Sequence, residues 1–276
     1  MLKSFTLAVA TAGIFGWQTA ADYDGALTLT SPGHEHTAQQ DFRWSGRIPA
    51  GKAIEIKGIN GNIVAQGTGG GEVTVTAKKE GHGDDPESVR IEVVEHDDGV
   101  TICAVYPDSH KNRPNVCAPK NEGRLNSDDN DVSVDFEISV PAGVRFIGRT
   151  VNGDVDATGL TADTDVSTVN GEVEVRTEGE AEASTVNGSI RATMGKATWS
   201  GTVEFHTVNG SIEVTLPSDF SAEVRAGTVN GDISTDFPLT VTGRFGPRRV
   251  SGTVGGGGRK LELETVNGDI SLRKGG

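Results

Sequence analysis

Apolar and polar residues alternate one for one through the second half of the chain, as in Glu172-Val173-Glu174-Val175-Arg176. That is the period of a strand with one buried face. The alternation restarts after each copy of Thr-Val-Asn-Gly, and the copies begin at Thr150, Thr168, Thr185, Thr207, Thr228 and Thr265. Their intervals are 18, 17, 22, 21 and 37 residues, and a partial copy, Ile59-Asn60-Gly61, lies upstream. A period of about 20 residues with one double-length step marks a repeat architecture, whose units bury an apolar face only against their neighbours. Two positions after each Gly stand Val155, Val173, Ile190, Ile212, Ile233 and Ile270, and two further on Ala157, Val175, Ala192, Val214, Thr235 and Leu272. These two columns are predicted to point inward. Asp154, Glu172, Ser189, Ser211, Asp232 and Asp269, then Asp156, Glu174, Arg191, Glu213, Ser234 and Ser271, are predicted to face water.

Two all-β architectures place Asn-Gly beside such strands. As a two-residue hairpin turn it predicts an antiparallel meander or sandwich, because both turn residues need positive φ. In a parallel β-solenoid it marks one corner per coil, with Gly accepting left-handed angles and each Asn side chain bonded to its copies above and below. Only stacked coils reward keeping the whole phrase and both apolar columns through six units, so the solenoid is the stronger expectation. Its corners are Asn152-Gly153, Asn170-Gly171, Asn187-Gly188, Asn209-Gly210, Asn230-Gly231 and Asn267-Gly268.

Upstream the pattern is less regular. Phe42 to Ala65, Glu72 to Lys79, Ser88 to Glu95, Val100 to Tyr106 and Val132 to Val140 are strand-like, separated by Gly, Asp and Pro turns. Ile48-Pro49-Ala50-Gly51 leads to Asn60 as Val140-Pro141-Ala142-Gly143 leads to Asn152, eleven residues from Pro to Asn in both, so the unit begins before the tetrapeptide. The expected organisation is a single β-solenoid domain over residues 42–276. Residues 42–140 form irregular first coils and a cap, and residues 141–276 form the regular repeats.

Composition and charge narrow the function. Gly contributes 38 of 276 residues and aromatics 5%, which disfavours a helix-rich enzyme core. Lys and Arg number 25 against 39 Asp and Glu, a net charge of −14 that repels nucleic acid. Lys3 followed by the apolar run Phe5 to Trp17 and the small residues Thr19, Ala20 and Ala21 reads as a signal peptide over residues 1–21. Residues 22–41 then read as a polar tail. The run is short for a membrane span, and the mature chain is expected outside the cytoplasm, in the periplasm or at the cell surface. Cys103 and Cys117 bracket a Pro- and Asn-rich loop. In an oxidising compartment they are expected to form a structural disulfide, worth about 3 kcal/mol for a loop of this length.

The segments Ile102-Cys103-Ala104-Val105-Tyr106-Pro107, with the second Cys at 117, and Val134-Asp135-Phe136 leading into Val140-Pro141-Ala142-Gly143 carry a resemblance. So do the Thr-Val-Asn-Gly-Asp-Ile copies and the run Gly255 to Gly258 before Leu261-Glu262-Leu263. Over roughly residues 42–274 the chain resembles the bacterial envelope family of β-strand-repeat proteins labelled "putative adhesins". The resemblance implies a right-handed parallel β-helix, export, no known catalytic residue, and adhesion as the role the label assigns.

The rival function is a carbohydrate-active β-helix enzyme, a polysaccharide lyase or glycosidase, which needs carboxylates at a fixed separation. The candidate clusters, Asp84-Asp85, Asp97-Asp98 and Asp128-Asp129-Asn130-Asp131, all fall in turn-like segments where solvated loop charge is expected. No Gly-x-Ser-x-Gly elbow or His-Glu-x-x-His pair occurs, and Gly255 to Gly258 opens no helix, so it reads as a turn. Stacking Asp154 on Glu172 and Asp156 on Glu174 costs about 1 kcal/mol per pair in water, which a weakly held Ca²⁺ would relieve, although Ser189 and Arg191 relieve it in the next coil. His34-x-His36 is a poor metal site on a polar tail. Trp199 and Phe205 offer either a sugar-stacking platform or core filling. No cofactor is expected, and the partner is an unidentified envelope glycan or protein.

Overall fold

The computed structural model describes residues 41–107, 114–120, 122–127, 129–197, 199–241 and 248–275. The expected signal peptide, nearly all of the polar tail with His34 and His36, and Asp128 lie outside the described residues. All described residues fall within one unit, Gln39–Gly276. Apart from the single 3-10 turn Pro86–Ser88, its regular elements are strands, arranged in sheets of ten and eleven.

Each repeat gives one strand to each sheet, and the Thr-Val-Asn-Gly phrase joins them. Thr164–Ser167, Ala181–Ser184 and Thr202–His206 lie in one sheet, while their successors Val173–Thr177, Ile190–Met194 and Ile212–Leu216 lie in the other. Neighbouring coils pair in parallel and in register, with Val155, Val173, Ile190, Ile212, Ile270 and Ile233 side by side. The Asn-Gly corners make parallel bridges from coil to coil, so they are not hairpin turns. Among the described strands, antiparallel pairing occurs only toward the ends, where it caps the stack. The inward columns form the core. Val155, Val173, Ile190, Ile212 and Ile270 are buried, and the column opens only at Ile233 in the outermost coil.

Spatial order departs from chain order at both ends. The last coil, Lys260–Glu264 with Ile270–Lys274, lies between Thr202–His206 with Ile212–Leu216 on one side and Ala222–Gly227 with Ile233–Thr235 on the other. The 37-residue interval is therefore not a missing repeat. After the Ala222–Gly227 coil the chain runs outward to Arg249–Val254, which pairs antiparallel with Ala222–Gly227, then returns to fill the place one coil in. The first coil is enclosed in the same way. Ala53–Lys57 and Ile63–Thr68 lie between Gly99–Val105 with Ser133–Pro141 and the coil of Arg145–Arg149 with Val155–Leu160. Residues 42–140 thus supply an inner coil as well as the cap formed by Phe42–Gly46, Val73–Glu80 and Arg90–His96.

Candidate functional site

The stacked corners form one continuous edge. From Asn152 on, each Asn side chain donates from Nδ2 to the Oδ1 of the Asn in the adjoining coil, in the order Asn60, Asn152, Asn170, Asn187, Asn209, Asn267, Asn230, at 2.8 to 2.9 Å, while Asn60 donates to the Asn130 carbonyl. The threonines are buried, and Thr150, Thr168, Thr185, Thr207, Thr265 and Thr228 each donate through Oγ1 to the carbonyl of the neighbouring coil's corner Gly at 2.9 to 3.1 Å. Sequence reasoning assigned no role to these threonines, though their repetition was the available signal. Gly153, Gly231 and Gly268 stand at positive φ, as expected of the corner, and close approach adds a second requirement. Gly171, Gly188 and Gly210 do not adopt left-handed angles; a Cβ on any of them would run into the carbonyl of the corner glycine in the next coil.

The position after each corner Gly is not merely solvated. Asp154 accepts a hydrogen bond from the Glu172 backbone N–H at 2.7 Å, and Ser189, Ser211 and Asp269 serve the following coils in the same way. Arg176 lies 2.7 Å from Glu174, and Arg191 reaches Glu172 at 4.0 Å, so side chains already offset the acidic stacking that suggested Ca²⁺. Among the described residues no cluster of His, Cys, Asp and Glu has metal-holding geometry.

Four of the other acidic candidates, Asp84, Asp85, Asp98 and Asp131, are engaged by neighbouring groups. Asp85 accepts from Glu87 N–H, Asp131 accepts from Asp84 N–H while Asp84 accepts from Asp131 N–H, and Asp98 pairs with Lys120 at 2.8 Å. Trp199 and Phe205 are buried, Trp199 stacking on Phe220, so they fill the core and offer no sugar platform. Gly255 to Gly258 forms the turn after Arg249–Val254, with Gly255, Gly257 and Gly258 at positive φ.

On the outer face of the eleven-stranded sheet, Asp165, Glu182, Glu204 and Glu262 come from successive coils. Burial, then Asp165, Glu204 and Glu180, push the Glu182 carboxyl above its ordinary 4.5. The folded chain therefore holds this proton more tightly than the unfolded chain. The resulting stabilisation is complete below pH 4.5 and is lost as pH rises through the elevated value. Glu182→Gln is expected to raise Tm by about 1–2 °C at pH 7.5 and to leave it unchanged at pH 4. Thermal melts at the two pH values check this, and an equal gain at both would remove the electrostatic cause.

At the capped end the same face is covered. Cys103 and Cys117 form a disulfide, and the chain beyond it crosses Ala53–Lys57, which is buried on both faces. Glu55, 3% exposed, accepts through Oε2 from Thr101 Oγ1 at 2.8 Å and from Lys120 N–H at 3.0 Å. His96 lies with Nε2 at 3.1 Å from Thr101 Oγ1 and Nδ1 at 3.3 Å from the Asp98 N–H, tying the turn after Arg90–His96 to this group. Lys57, also buried, donates to the carbonyls of Ala118 and Lys120 and lies 3.4 Å from Glu55 Oε1. A buried charge group of this kind holds only if its partners stay in place, and the staple at Cys117 secures them. The charged residues inside Ala53–Lys57 were the sequence signal for such a cover.

A solved structure of a "putative cell adhesion protein" from Clostridium sporogenes aligns with a TM-score of 0.49 at 10% identity, covering 86% of this chain and 100% of that one. A "putative adhesin" from Bacteroides fragilis aligns at 0.34 and 14% identity, covering 85% of this chain and 98% of that one. No curated protein matches the chain. A family model described as Toastrack DUF4097 matches residues 121–273.

Proposed function

The chain belongs to the Toastrack DUF4097 family, and from that premise we propose that it is a non-enzymatic, exported module of the bacterial envelope that binds a glycan or protein through its stacked edge. In this reading residues 1–21 are the export signal, residues 22–41 a tail and residues 42–276 the binding domain. The coils wind right-handed, as parallel strand crossovers do.

One observation carries the proposal. In Thr-Val-Asn-Gly the fold accounts for Thr by its bond to the next glycine carbonyl, for Asn by the amide ladder, and for Gly by close approach. It does not account for Val. Val151, Val169, Val186, Val208, Val229 and Val266 are 36% to 55% exposed and lie in line along the edge. A contiguous exposed apolar row bordered by amides is a recognition surface, and equal spacing lets weak contacts to an extended ligand add up. Asp84, Asp85 and Asp131, engaged in turn hydrogen bonds, and Asp98, paired with Lys120, favour binding over hydrolysis.

The triple variant Val169→Ser, Val186→Ser, Val208→Ser is expected to melt within about 2 °C of the parent and to lose at least tenfold in retention on envelope fractions and polysaccharides. Unchanged retention would remove the edge as the binding surface. Release of soluble sugar in the same tubes would favour the hydrolytic or lyase alternative.

A further inference from the structure

The two ends of the stack are closed differently. At the first corner Asn60 Nδ2 donates to the Asn130 carbonyl, the Asn60 and Asn62 carbonyls accept from the Val134 and Phe136 N–H groups, and Asp135 accepts from the Asn62 N–H. At the far end the eleven-stranded sheet is covered by Arg249–Val254, antiparallel to Ala222–Gly227. The ten-stranded sheet ends on Ile233–Thr235, and among the described residues no strand lies beyond it. A repeat stack ordinarily ends in an atypical capping unit. Here the outermost coil carries the unaltered phrase Thr228-Val229-Asn230-Gly231, followed by Asp232 and Ile233.

The inner corners show what such a phrase offers to the coil outside it. The Val carbonyl accepts the next coil's Asn N–H at 2.7 to 2.8 Å, as Val151 does from Asn170 and Val266 from Asn230. The Gly carbonyl accepts the next Thr hydroxyl, the Gly N–H donates to the next Asn carbonyl, and Asn Oδ1 accepts the next amide. Asp154 and Asp269 accept the N–H of the residue after the next Gly, and the N–H of Val155 or Ile270 donates to the carbonyl of that same residue. In the outermost coil these six groups are the Val229 carbonyl, the Gly231 carbonyl and N–H, Asn230 Oδ1, the Asp232 carboxylate and the Ile233 N–H. None of the six has a partner among the described residues. The apolar groups agree. Val229 is 55% exposed against 36% to 40% for the other five valines, and Ile233 is the member of its column that is not buried.

This set has a direction. It matches a strand running parallel to Ile233–Thr235 that brings a Thr hydroxyl and an Asn amide to the corner and then alternates apolar residues inward over Ile233 and Thr235. A second folded copy does not supply one. Two such ends meeting about a two-fold axis run antiparallel, and the opposite end of the copy is already covered by residues 130–136. From this we infer that the open end binds one further strand from a different polypeptide, parallel to Ile233–Thr235 and carrying its own Thr-x-Asn-Gly phrase, so that a second repeat protein continues the stack. Backbone bonds along the unpaired edge supply affinity, and the Thr and Asn side chains supply selection.

A labelled peptide copying residues 207–216 of this chain, Thr-Val-Asn-Gly-Ser-Ile-Glu-Val-Thr-Leu, is the probe. It places Ser211 over Asp232 without a like charge and Ile212 and Val214 over Ile233 and Thr235. Titrated with the full chain and followed by fluorescence anisotropy, it is expected to bind saturably. The peptide with Asn209→Ala is expected to bind about tenfold more weakly, and the peptide of reversed sequence, which cannot match a parallel set, not to bind. In the chain, Asp232→Ala removes one acceptor on an exposed side chain and is expected to weaken binding about fivefold with Tm within about 1 °C of the parent. The triple valine variant is expected to bind the peptide as the parent does, which separates this end from the valine row. No saturable binding, equal binding of the Asn209→Ala or reversed peptide, undiminished binding by the Asp232→Ala chain, or loss of binding in the valine variant would each overturn the assignment.

Discussion

A chain ending at Arg259 is expected not to fold to a soluble monomer, although it lacks only the last repeat. In a solenoid built in chain order, removing a terminal coil costs one interface and leaves the rest standing. Here the coil removed is internal. Lys260–Glu264 and Ile270–Lys274 each pair with a strand on both sides, and Leu261, Leu263, Ile270 and Leu272 are buried. Losing four such side chains forfeits about 6–12 kcal/mol, comparable with the whole stability of an ordinary domain. The outer coil of Ala222–Gly227 and Ile233–Thr235 would then lose the only parallel partners it has among the described residues. The truncated chain is expected in the insoluble fraction, or soluble without a cooperative urea transition. A monomer unfolding within about 1 kcal/mol of the full chain would mean that the outer coil closes the gap.

Gly188→Ala is expected to be nearly as damaging through a single methyl group. The added Cβ would overlap the Gly171 carbonyl oxygen and stand 2.5 Å from its carbon. Both atoms are backbone, and the same carbonyl accepts the Thr185 hydroxyl at 3.0 Å. Relief requires separating two coils whose strands are paired in register on both sides of the corner. The expected loss is about 3–5 kcal/mol, in the range where a single substitution acts through a specific steric or network failure. Gly71→Ala is the matched control. Nothing lies within 4 Å of its added Cβ, and the change is expected to stay within about 0.5 kcal/mol. Urea denaturation of both variants checks the contrast, and similar stabilities would show that the coils separate readily at the corner.

The sequence carried much of this fold because repetition samples the same environment six times. The alternation in Glu172-Val173-Glu174-Val175 assigned inward and outward faces, and the columns headed by Val155 and Ala157 align in register across the stack. The amide ladder was also legible, since identical Asn residues on stacked corners have one another as partners. The glycines were recognised, and the backbone angle expected of them holds at Gly153, Gly231 and Gly268; their close approach was not legible, because a φ preference is local and a neighbour's carbonyl is not. Trp199 and Phe205 could be placed only by knowing what surrounds them, and the stacked pair Trp199 and Phe220 is invisible to periodicity.

By itself, then, the sequence determined the strand period, the coil corner, the disulfide partners and the faces that meet water, all of which depend on a residue and its nearest copies. Only the tertiary structure decided the order of the coils. A parallel register of Val on Ile is equally satisfied whether the next coil in space is the next in sequence or the one after, so nothing local reports that Lys260–Glu264 returns to lie inside Ala222–Gly227. The same holds for the buried charge group. Glu55, Thr101 and Lys120 are separated by up to 65 residues and meet because coil stacking and the stapled cover bring distant segments onto one sheet face.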